Sequence, residues 1–279
     1  MPFPRDVQAK IDANRRNWDA RTPIHVASRF YGIGTRDPLG WFAPFEWADL
    51  GELAGREVAH LQCHLGVETM AFAIRGARTT GLDFSANAVA EARRIAAEAG
   101  LPVEYVHADV HDAAAALGTG RFDVVYTGKG ALCYLPDLRR WADVVLGLLK
   151  PGGLLYIAEF HPLLTSLGPS PAPGDTPDLL LRHDYLEGRG AIEHDGTHTY
   201  TDGPPLASDP VNYEWAHGLG EVVTSLVAAG FRVDRLTESE LLPWPRWPRM
   251  VRTDSGWWAL PDDEPRIPLL YGLRAIKEG

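Results

Sequence analysis

Asp83 is the residue whose type and position most clearly suit chemistry. It ends the apolar segment 81–83, which follows an earlier apolar run, 58–61, and a turn that closes at Gly66. A carboxylate at the end of a buried strand can accept both hydroxyl protons of a vicinal diol such as that of a ribose, and the neighbouring Phe84 could stack on a base. We therefore predict that Asp83 binds a nucleoside, while an aspartate that caps a helix is the alternative interpretation.

The elements that must position Asp83 are a strand, a turn, a helix and a second strand. The apolar pattern predicts the three regular elements at 57–61, 67–75 and 78–83. Gly66 lets a ligand approach the backbone of the turn. A dinucleotide-binding fingerprint would have three glycines here, but Gln62 and His64 occupy the other two places. This crowding argues against a nicotinamide-dependent oxidoreductase, which stays the alternative class of enzyme.

Strands and helices continue to alternate up to residue 160. The predicted strands are 103–107, 122–126 and 154–160. The predicted helices are 86–99, with Ser85 as its N-cap, 113–117, and 138–149, which Asp137 can cap. This alternation predicts an α/β fold with a parallel sheet covered by helices on both faces. Ligands bind beyond the carboxyl ends of the strands of such a sheet. A helix at 214–229 and strands at 231–237 and 269–276 complete the predicted elements.

Five motifs, in chain order, resemble those of the class I S-adenosylmethionine-dependent methyltransferases. They are His60-Leu-Gln-Cys-His-Leu-Gly66, Gly81-Leu-Asp-Phe-Ser85, His107-Ala-Asp-Val110, Phe122-Asp-Val-Val-Tyr-Thr-Gly128 and Lys150-Pro-Gly-Gly153. The first motif is most similar to a bacterial branch that writes this loop as Leu-Gln-Cys-His-x-Gly. The resemblance implies a doubly wound, seven-stranded, mostly parallel sheet that ends in an antiparallel hairpin, and S-adenosylmethionine as the cofactor.

The resemblance also implies roles for residues at the strand ends. Asp109 would accept a hydrogen bond from the adenine amino group, Val110 would donate its backbone N–H to a ring nitrogen, and the Gly128 carbonyl would meet the cofactor's amino group. His60 stands where many relatives place an acid, and a core histidine is its alternative interpretation. The predicted cofactor-binding residues are His60, Gln62, Cys63, His64, Gly66 (beside the methionine part), Asp83, Phe84, Ser85, Asp109, Val110 and Gly128.

His161 is the first candidate for a catalytic group, because it follows the fifth predicted strand. A neutral imidazole there could take a proton from an acceptor hydroxyl, amine or ring carbon. The alternative is a histidine that hydrogen-bonds the segment after it. Tyr31 is the second candidate, and further candidates for orienting the acceptor are His25, Tyr134 and Glu159. Cys133 lacks the partner that a reactive thiolate needs, so we predict a pocket or core residue.

The chain is expected to contain four regions. A helix over residues 5–21, ended by Pro23, begins the region 1–54, which the resemblance implies is an N-terminal helical lid, and the cofactor-binding α/β core covers 55–160. Proline and glycine are dense in 161–213, where we predict an inserted cap or antiparallel flap that contacts the substrate, with strand-like pieces at 178–183 and 198–201. The last region, 214–279, completes the core with a helix and the antiparallel hairpin.

Composition restricts the classes of partner. The formal net charge is -10, so an extended nucleic acid is not an expected partner, and the longest apolar runs are too short for a membrane span. Two unpaired cysteines suggest a reducing, cytoplasmic location. No metal is predicted, because Gly196 between His194 and His198 argues against a helical metal pair. A homodimer is compatible with the sequence.

Tryptophan is concentrated outside the predicted core. Of nine tryptophans, only Trp141 lies between Gly55 and His161. These side chains either cover the sheet edges or build an apolar pocket for a small acceptor. We therefore predict methyl transfer from S-adenosylmethionine to an O, N or C nucleophile of a small aromatic or amine-containing molecule, as in specialised metabolism. A cofactor-binding protein without catalytic activity is the second alternative.

Overall fold

A central seven-stranded sheet organises the chain. The structure is a computed structural model, and it describes residues 2–167 and 179–279. The strands are β1 (Glu57–Leu61), β2 (Arg78–Asp83), β3 (Val103–His107), β4 (Phe122–Thr127), β5 (Leu149–Phe160), β8 (Phe231–Ser239) and β11 (Leu270–Lys277). Their order is β3-β2-β1-β4-β5-β11-β8, and β11 runs antiparallel to both of its neighbours. The predicted doubly wound, mostly parallel α/β fold is confirmed.

Helices cover both faces of this sheet. They are α1 (Arg5–Ala27), α2 (Pro44–Leu50), α3 (Val67–Ile74), α4 (Ala86–Glu98), α5 (Ala113–Leu117), α6 (Leu138–Leu148), α7 (Pro162–Ser166) and α8 (Leu219–Ala229). Trp141 of α6 and Leu226 of α8 pack on one face, while Phe72 of α3 and Val89 of α4 pack on the other. Burial on both faces explains why β1 and β4 consist largely of apolar residues, and it fixes the sheet's carboxyl edge as the accessible end.

The N-terminal helix is longer than the sequence indicates. It continues to Ala27, with Pro23 inside it, although we expected the proline to end it. Proline cannot donate to the carbonyl of Asp19, four residues earlier. That carbonyl instead accepts a hydrogen bond from Asn87 Nδ2 of α4 at 3.1 Å. Because the orphaned carbonyl has a partner from the core, the helix tolerates the proline.

A two-stranded hairpin lies outside the main sheet. Its strands are β6 (Ala191–Asp195) and β7 (Val211–Trp215), which pair antiparallel. The predicted strand at 198–201 is wrong, and residues 179–183 form no strand either. The predicted helix at 214–229 begins only at Leu219, because β7 occupies its first residues. Residues 168–178 lie outside the described part of the chain. They hold six prolines and glycines of the predicted cap and the first residue of the strand-like piece at 178–183.

The helix α1 joins this hairpin to the core. Asn14 donates to the backbone carbonyl of Tyr213 at 2.8 Å and accepts from its N–H at 2.7 Å, and Arg21 donates to Asn212 at 3.1 Å. On its other side, Asp19 of α1 accepts hydrogen bonds from α4. The helix is thus held between the hairpin and the core, above the carboxyl edge of the sheet.

Two short strands complete the regular structure. They are β9 (Val251–Arg252) and β10 (Trp258–Ala259), which pair in the tryptophan-rich segment between β8 and β11. Among residues 2–167 and 179–279, helices with the length and apolar character needed to cross a bilayer are absent.

Candidate active site

Two adjoining cavities lie at the carboxyl edge of the sheet. The first, which we call the strand-edge cavity, is lined by residues that include Gln62, His64, Asp83, Phe84, Asp109 and Val110. The second, the aromatic cavity, is lined by residues that include Phe30, Trp41, Phe160, Trp244 and Arg246. Both are bordered by a shared set, the junction residues: Trp18, Tyr31, Glu68, Lys129, Tyr134 and Tyr200. A molecule in one cavity would therefore meet a molecule in the other at the junction.

Asp83 lies at the end of β2 with its carboxylate in the strand-edge cavity. Its two oxygens accept the backbone N–H groups of His64 and Ser85, each at 2.8 Å. Burial raises the pKa of Asp83 to about 6, although these two hydrogen bonds oppose the shift. A carboxylate oxygen has two lone pairs, so both oxygens can still accept a hydroxyl from a bound diol.

Asp109 lies two residues after the end of the neighbouring strand β3 and faces the same cavity. One of its oxygens accepts from both the backbone N–H and the ring Nδ1 of His111, each at 2.9 Å. Burial disfavours its charge, but the contacts with His111 outweigh burial and lower the pKa of Asp109. The second oxygen is available to a donor in the cavity, which Val110 also lines. The structure thus brings Asp83 and Asp109 together, as the sequence predicts.

The turn after β1 keeps a glycine-like backbone without the glycines. Gln62 has φ 55° and His64 has φ 47°, which is the left-handed region that costs a side-chain-bearing residue about 1–2 kcal/mol. Gln62 donates to the Ala131 carbonyl at 2.9 Å, while its Oε1 and Nδ1 of His64 are buried without a partner among the described residues. Buried polar atoms normally have partners, so these two atoms fit a polar ligand in the strand-edge cavity.

Glu68 and Lys129 line the strand-edge cavity, with Glu46 buried behind them, and the sequence analysis missed all three residues. Lys129 is 3.1 Å from the carboxylate of Glu46 and 3.2 Å from that of Glu68, and all three are largely buried. A methyl group at Gly128 would lie 3.1 Å from Glu68 Oε2 and 3.4 Å from His60 Nε2. Glu68 therefore supplies a carboxylate beside His60, which stands where many relatives place an acid. Its position in the first turn after Gly66 was the available clue.

His60 itself is a core histidine. It is 1% exposed, its Nδ1 is bonded to Thr69 Oγ1 at 2.9 Å, and burial lowers its pKa to about 4. The ring is therefore neutral at ordinary pH. Its side chain lines the strand-edge cavity, so the two interpretations of His60 given above are compatible.

Two predicted cofactor-binding residues have structural roles that need no ligand. A Cβ atom at Gly66 would lie 2.2 Å from the hydroxyl of Tyr105, so the packing of that ring already requires a glycine. Ser85 accepts from the Ala88 N–H as the predicted N-cap of α4 and donates to Asp19 at 2.6 Å. Neither residue lines the strand-edge cavity.

His161 does not occupy the position expected of a catalytic base. Its Nδ1 accepts from the Leu163 N–H at 3.1 Å, which caps α7, so its Nε2 carries the proton and donates to Glu238 at 2.9 Å. His161 is 4% exposed and borders neither the strand-edge nor the aromatic cavity. The cause of the difference is local, because a histidine before Pro162 is well placed to cap a new helix.

Tyr31, by contrast, is a junction residue. Its hydroxyl is hydrogen-bonded to that of Tyr200, and burial first, then the neighbouring Tyr200, raises the pKa of Tyr31 well above the ordinary value. Tyr31 is therefore protonated and can donate or accept a hydrogen bond. Tyr134 is also a junction residue, and its hydroxyl donates to Glu214 at 3.2 Å.

A buried pair of histidines stands behind the junction. His25 Nδ1 and His64 Nε2 are 2.8 Å apart, and Thr199 Oγ1 is 2.6 Å from His25 Nε2. Burial lowers the pKa of His25 to about 2 and that of His64 to about 3. Both rings are neutral, and His25 does not line either cavity.

Glu159 positions the loop after β4. Its buried carboxylate accepts the backbone N–H groups of Gly130, Ala131 and Leu132, the last two at 2.8 and 3.0 Å. This loop carries Gly128 and Lys129 and separates Glu159 from the strand-edge cavity, so Glu159 does not contact a ligand there. Cys63 and Cys133 are free thiols, and burial raises the pKa of each well above its ordinary value.

The site can be compared with known proteins. Residues 58–153 match the methyltransferase-domain family. A ubiquinone biosynthesis O-methyltransferase from Aromatoleum aromaticum is 30% identical over 159 residues, which is 57% of this chain and 63% of that protein. The corresponding protein of Cronobacter sakazakii is 34% identical over 141 residues, or 49% of this chain and 57% of that one. The chain thus spans about three fifths of the length of these curated relatives.

Solved structures share the fold over most of the chain. An S-adenosylmethionine-dependent methyltransferase from Mesorhizobium loti has a TM-score of 0.54 at 22% identity, covering 84% of this chain and 96% of that one. The 1,6-didemethyltoxoflavin-N1-methyltransferase of Burkholderia thailandensis, solved with S-adenosylhomocysteine, has a TM-score of 0.57 at 17% identity and covers 100% of this chain and 92% of that one. The chain therefore has the fold of the S-adenosylmethionine-dependent methyltransferases, built around a matching methyltransferase domain at residues 58–153.

Proposed function

We propose that this protein transfers a methyl group from S-adenosylmethionine to an O, N or C nucleophile of a small molecule. The observation that carries the proposal is the pair of carboxylates, Asp83 and Asp109, which end adjacent strands and face one cavity that opens into a second, aromatic one. Asp83 would hold the ribose hydroxyls, and Asp109 with Val110 would hold the adenine. The sequence of the turn after β1 supports the further proposal that the chain belongs to the Leu-Gln-Cys-His-x-Gly branch.

Three charged residues at the strand-edge cavity suit the amino-acid part of this cofactor. Glu46, Glu68 and Lys129 combine two carboxylates with one ammonium group, so the cluster has an excess acid. Glu68 and the unpartnered Oε1 of Gln62 would accept hydrogen bonds from the cofactor's ammonium group. Cys63 and His64 would contact the cofactor through their backbone, and His64 also through its buried Nδ1. Phe84 would pack against the adenine.

The junction residues would surround the sulfonium and orient the acceptor. The cofactor supplies an electrophilic methyl group on a sulfonium. The aromatic rings of Trp18, Tyr31 and Tyr134 would exclude water and attract the positive sulfonium. Catalysis would come mainly from holding the acceptor nucleophile in line with the methyl group, with Tyr31 as a hydrogen-bonding residue that orients it. The helix α1, which carries Trp18, would act as the lid. The hairpin of β6 and β7, with Tyr200 in the segment that connects its two strands, would act as the cap.

Isothermal titration with S-adenosylhomocysteine tests the proposal. We expect saturable binding to the wild type, and a loss of affinity of at least a few fold in Asp83→Ala, since the diol loses both acceptors. Absence of heat at millimolar ligand would remove the proposal, and unchanged affinity in the variant would refute the placement of the ribose. A fluorescence titration with a reduced nicotinamide cofactor is the counter-test, for which we expect no binding because Gln62 and His64 fill the turn.

The remaining expectations stay predictions. They are a cytoplasmic location, the homodimer, and the absence of nucleic-acid and metal partners. Within residues 2–167 and 179–279 the structure contains no group of three metal-binding side chains.

A further inference from the structure

Arg246 lies in the segment between β8 and β9 and lines the aromatic cavity. Its guanidinium forms no hydrogen bond or ion pair with residues 2–167 or 179–279, and its Nε is buried. Burial alone lowers the pKa of Arg246 to about 10, so the group stays charged at neutral pH. A partly buried cation without an anion is unfavourable, so this position favours an anionic ligand.

The other charges of the aromatic cavity already have partners. Lys129 is paired with Glu46 and with Glu68, which also lines the cavity. Glu214 accepts hydrogen bonds from the Tyr134 hydroxyl at 3.2 Å and from Asn212 at 3.3 Å. Among the described residues that line this cavity, Arg246 is therefore the charged group without a hydrogen bond or an ion pair.

The surroundings hold Arg246 in place. The next residue, Trp247, is 3% exposed in a hydrophobic cluster, and its ring centroid is 5.5 Å from the guanidinium carbon of Arg246. Two residues earlier, Trp244 packs edge-on against Phe160 with ring centroids 5.2 Å apart. Because tryptophans anchor the backbone on both sides, the guanidinium is presented to the cavity without the ordering of a long flexible loop.

We propose that the methyl acceptor is an aromatic molecule that carries a carboxylate, and that Arg246 binds this carboxylate. The planar guanidinium donates two parallel hydrogen bonds to a carboxylate, a geometry that an ammonium or a neutral amide cannot reproduce. The ring-lined walls suit a flat aromatic body. This inference rests on the proposed methyl transfer, and it assigns to the acceptor a negative charge rather than the amine considered from the sequence.

The test compares two probes that differ in charge. Protein saturated with S-adenosylhomocysteine is titrated with 4-hydroxybenzoate and with 4-hydroxybenzamide, and binding is followed by the quenching of tryptophan fluorescence and by calorimetry. We expect the wild type to bind the carboxylate about tenfold more tightly than the amide, as a charge-assisted hydrogen-bonded pair requires. Arg246→Met should abolish this preference, and Arg246→Lys should retain part of it.

The control variant is Arg252→Met, which removes an exposed arginine that does not line the aromatic cavity, and it should keep the preference. Equal affinity for the two probes, no binding of the carboxylate at millimolar concentration, or a preference that survives in Arg246→Met would each overturn the inference. So would an Arg246→Met protein that binds S-adenosylhomocysteine weakly but binds methylthioadenosine, which lacks the amino-acid part, as the wild type does. Failure of S-adenosylhomocysteine to bind the wild type would instead remove the proposed function.

Discussion

At the scale of single residues, the site depends on carboxylates whose surroundings differ. Asp83 is 5% exposed and its pKa is raised by burial, whereas the pKa of Asp109 is lowered by His111. Two acids at the ends of adjacent strands thus have different proton affinities. This difference makes the contribution of Asp83 separable by pH, because it is the acid that changes its charge nearest to neutrality.

We predict that the affinity for S-adenosylhomocysteine falls as the pH drops through about 6. The ribose hydroxyls donate to the ionised form of Asp83, whose pKa is about 6 in the folded protein, so protonation removes acceptor capacity. Calorimetric titrations between pH 5 and pH 8 measure this effect. In Asp83→Asn the affinity should be lower and this step should be missing, so a step that persists in the variant would assign it to another group.

The same shift has the opposite sign for the stability of the ligand-free protein. The folded-state pKa of Asp83 is raised from its ordinary 3.8, so folding favours the protonated acid. Its contribution is fully present below pH 3.8 and is lost as the pH rises through about 6. Binding of a diol should offset this loss at neutral pH.

At the scale of elements, α1 acts as a link between the hairpin and the core. Its polar residues Asn14, Asn17 and Arg21 are buried against β7 and the segment before it, and Asp19 bonds α4. Ile11 and Trp18 of the same helix line the strand-edge cavity. Anything that loosens the helix from the hairpin should therefore also open the cavity.

We predict that Asn14→Ala destabilises the protein by about 1–3 kcal/mol, because two backbone groups of Tyr213 lose the buried side-chain amide that pairs with them. Thermal unfolding measures the loss, and hydrogen exchange should show faster opening of α1 and β7. The affinity for S-adenosylhomocysteine should fall as well. Gln8→Ala is the control, since this exposed side chain bonds only Asp12 within α1, and equal effects of the two changes would contradict the linking role.

At the scale of the whole molecule, the cofactor would connect parts that are distant in sequence. The strand-edge cavity is bounded by α1, by the ends of β1 to β4 and by Tyr200 near the hairpin. A ligand that binds only the folded chain stabilises it in proportion to the logarithm of its concentration.

We predict that S-adenosylhomocysteine raises the midpoint of thermal unfolding of the wild type. At a concentration of about 100 times its dissociation constant, the gain should be about 2.7 kcal/mol, and Asp83→Ala should show a smaller gain at the same concentration. Differential scanning calorimetry over a series of concentrations measures both. A midpoint that does not respond to the ligand would show that it does not bind the native state.

The sequence by itself determined the sheet and one edge of the site. Local apolar runs place β1, β2 and β3 at the predicted residues, because short buried strands bounded by turn residues are encoded within the strand itself. The same local order puts Asp83 and Asp109 at the strand ends. It also identifies Ser85 and Asp137 as helix caps, since capping depends on neighbours in the chain.

Only the tertiary structure decided the rest. His161 follows β5 as expected but caps a helix, and Gly66 is fixed by Tyr105, which is 39 positions away. The pairing of Glu68 with Lys129 and the contact of Tyr31 with Tyr200 join segments far apart in the chain. The fold also brings the unpartnered Arg246 to the aromatic cavity. Periodicity reports what a residue does within its own element, whereas the partners of a polar side chain are set by which elements the folded chain brings together.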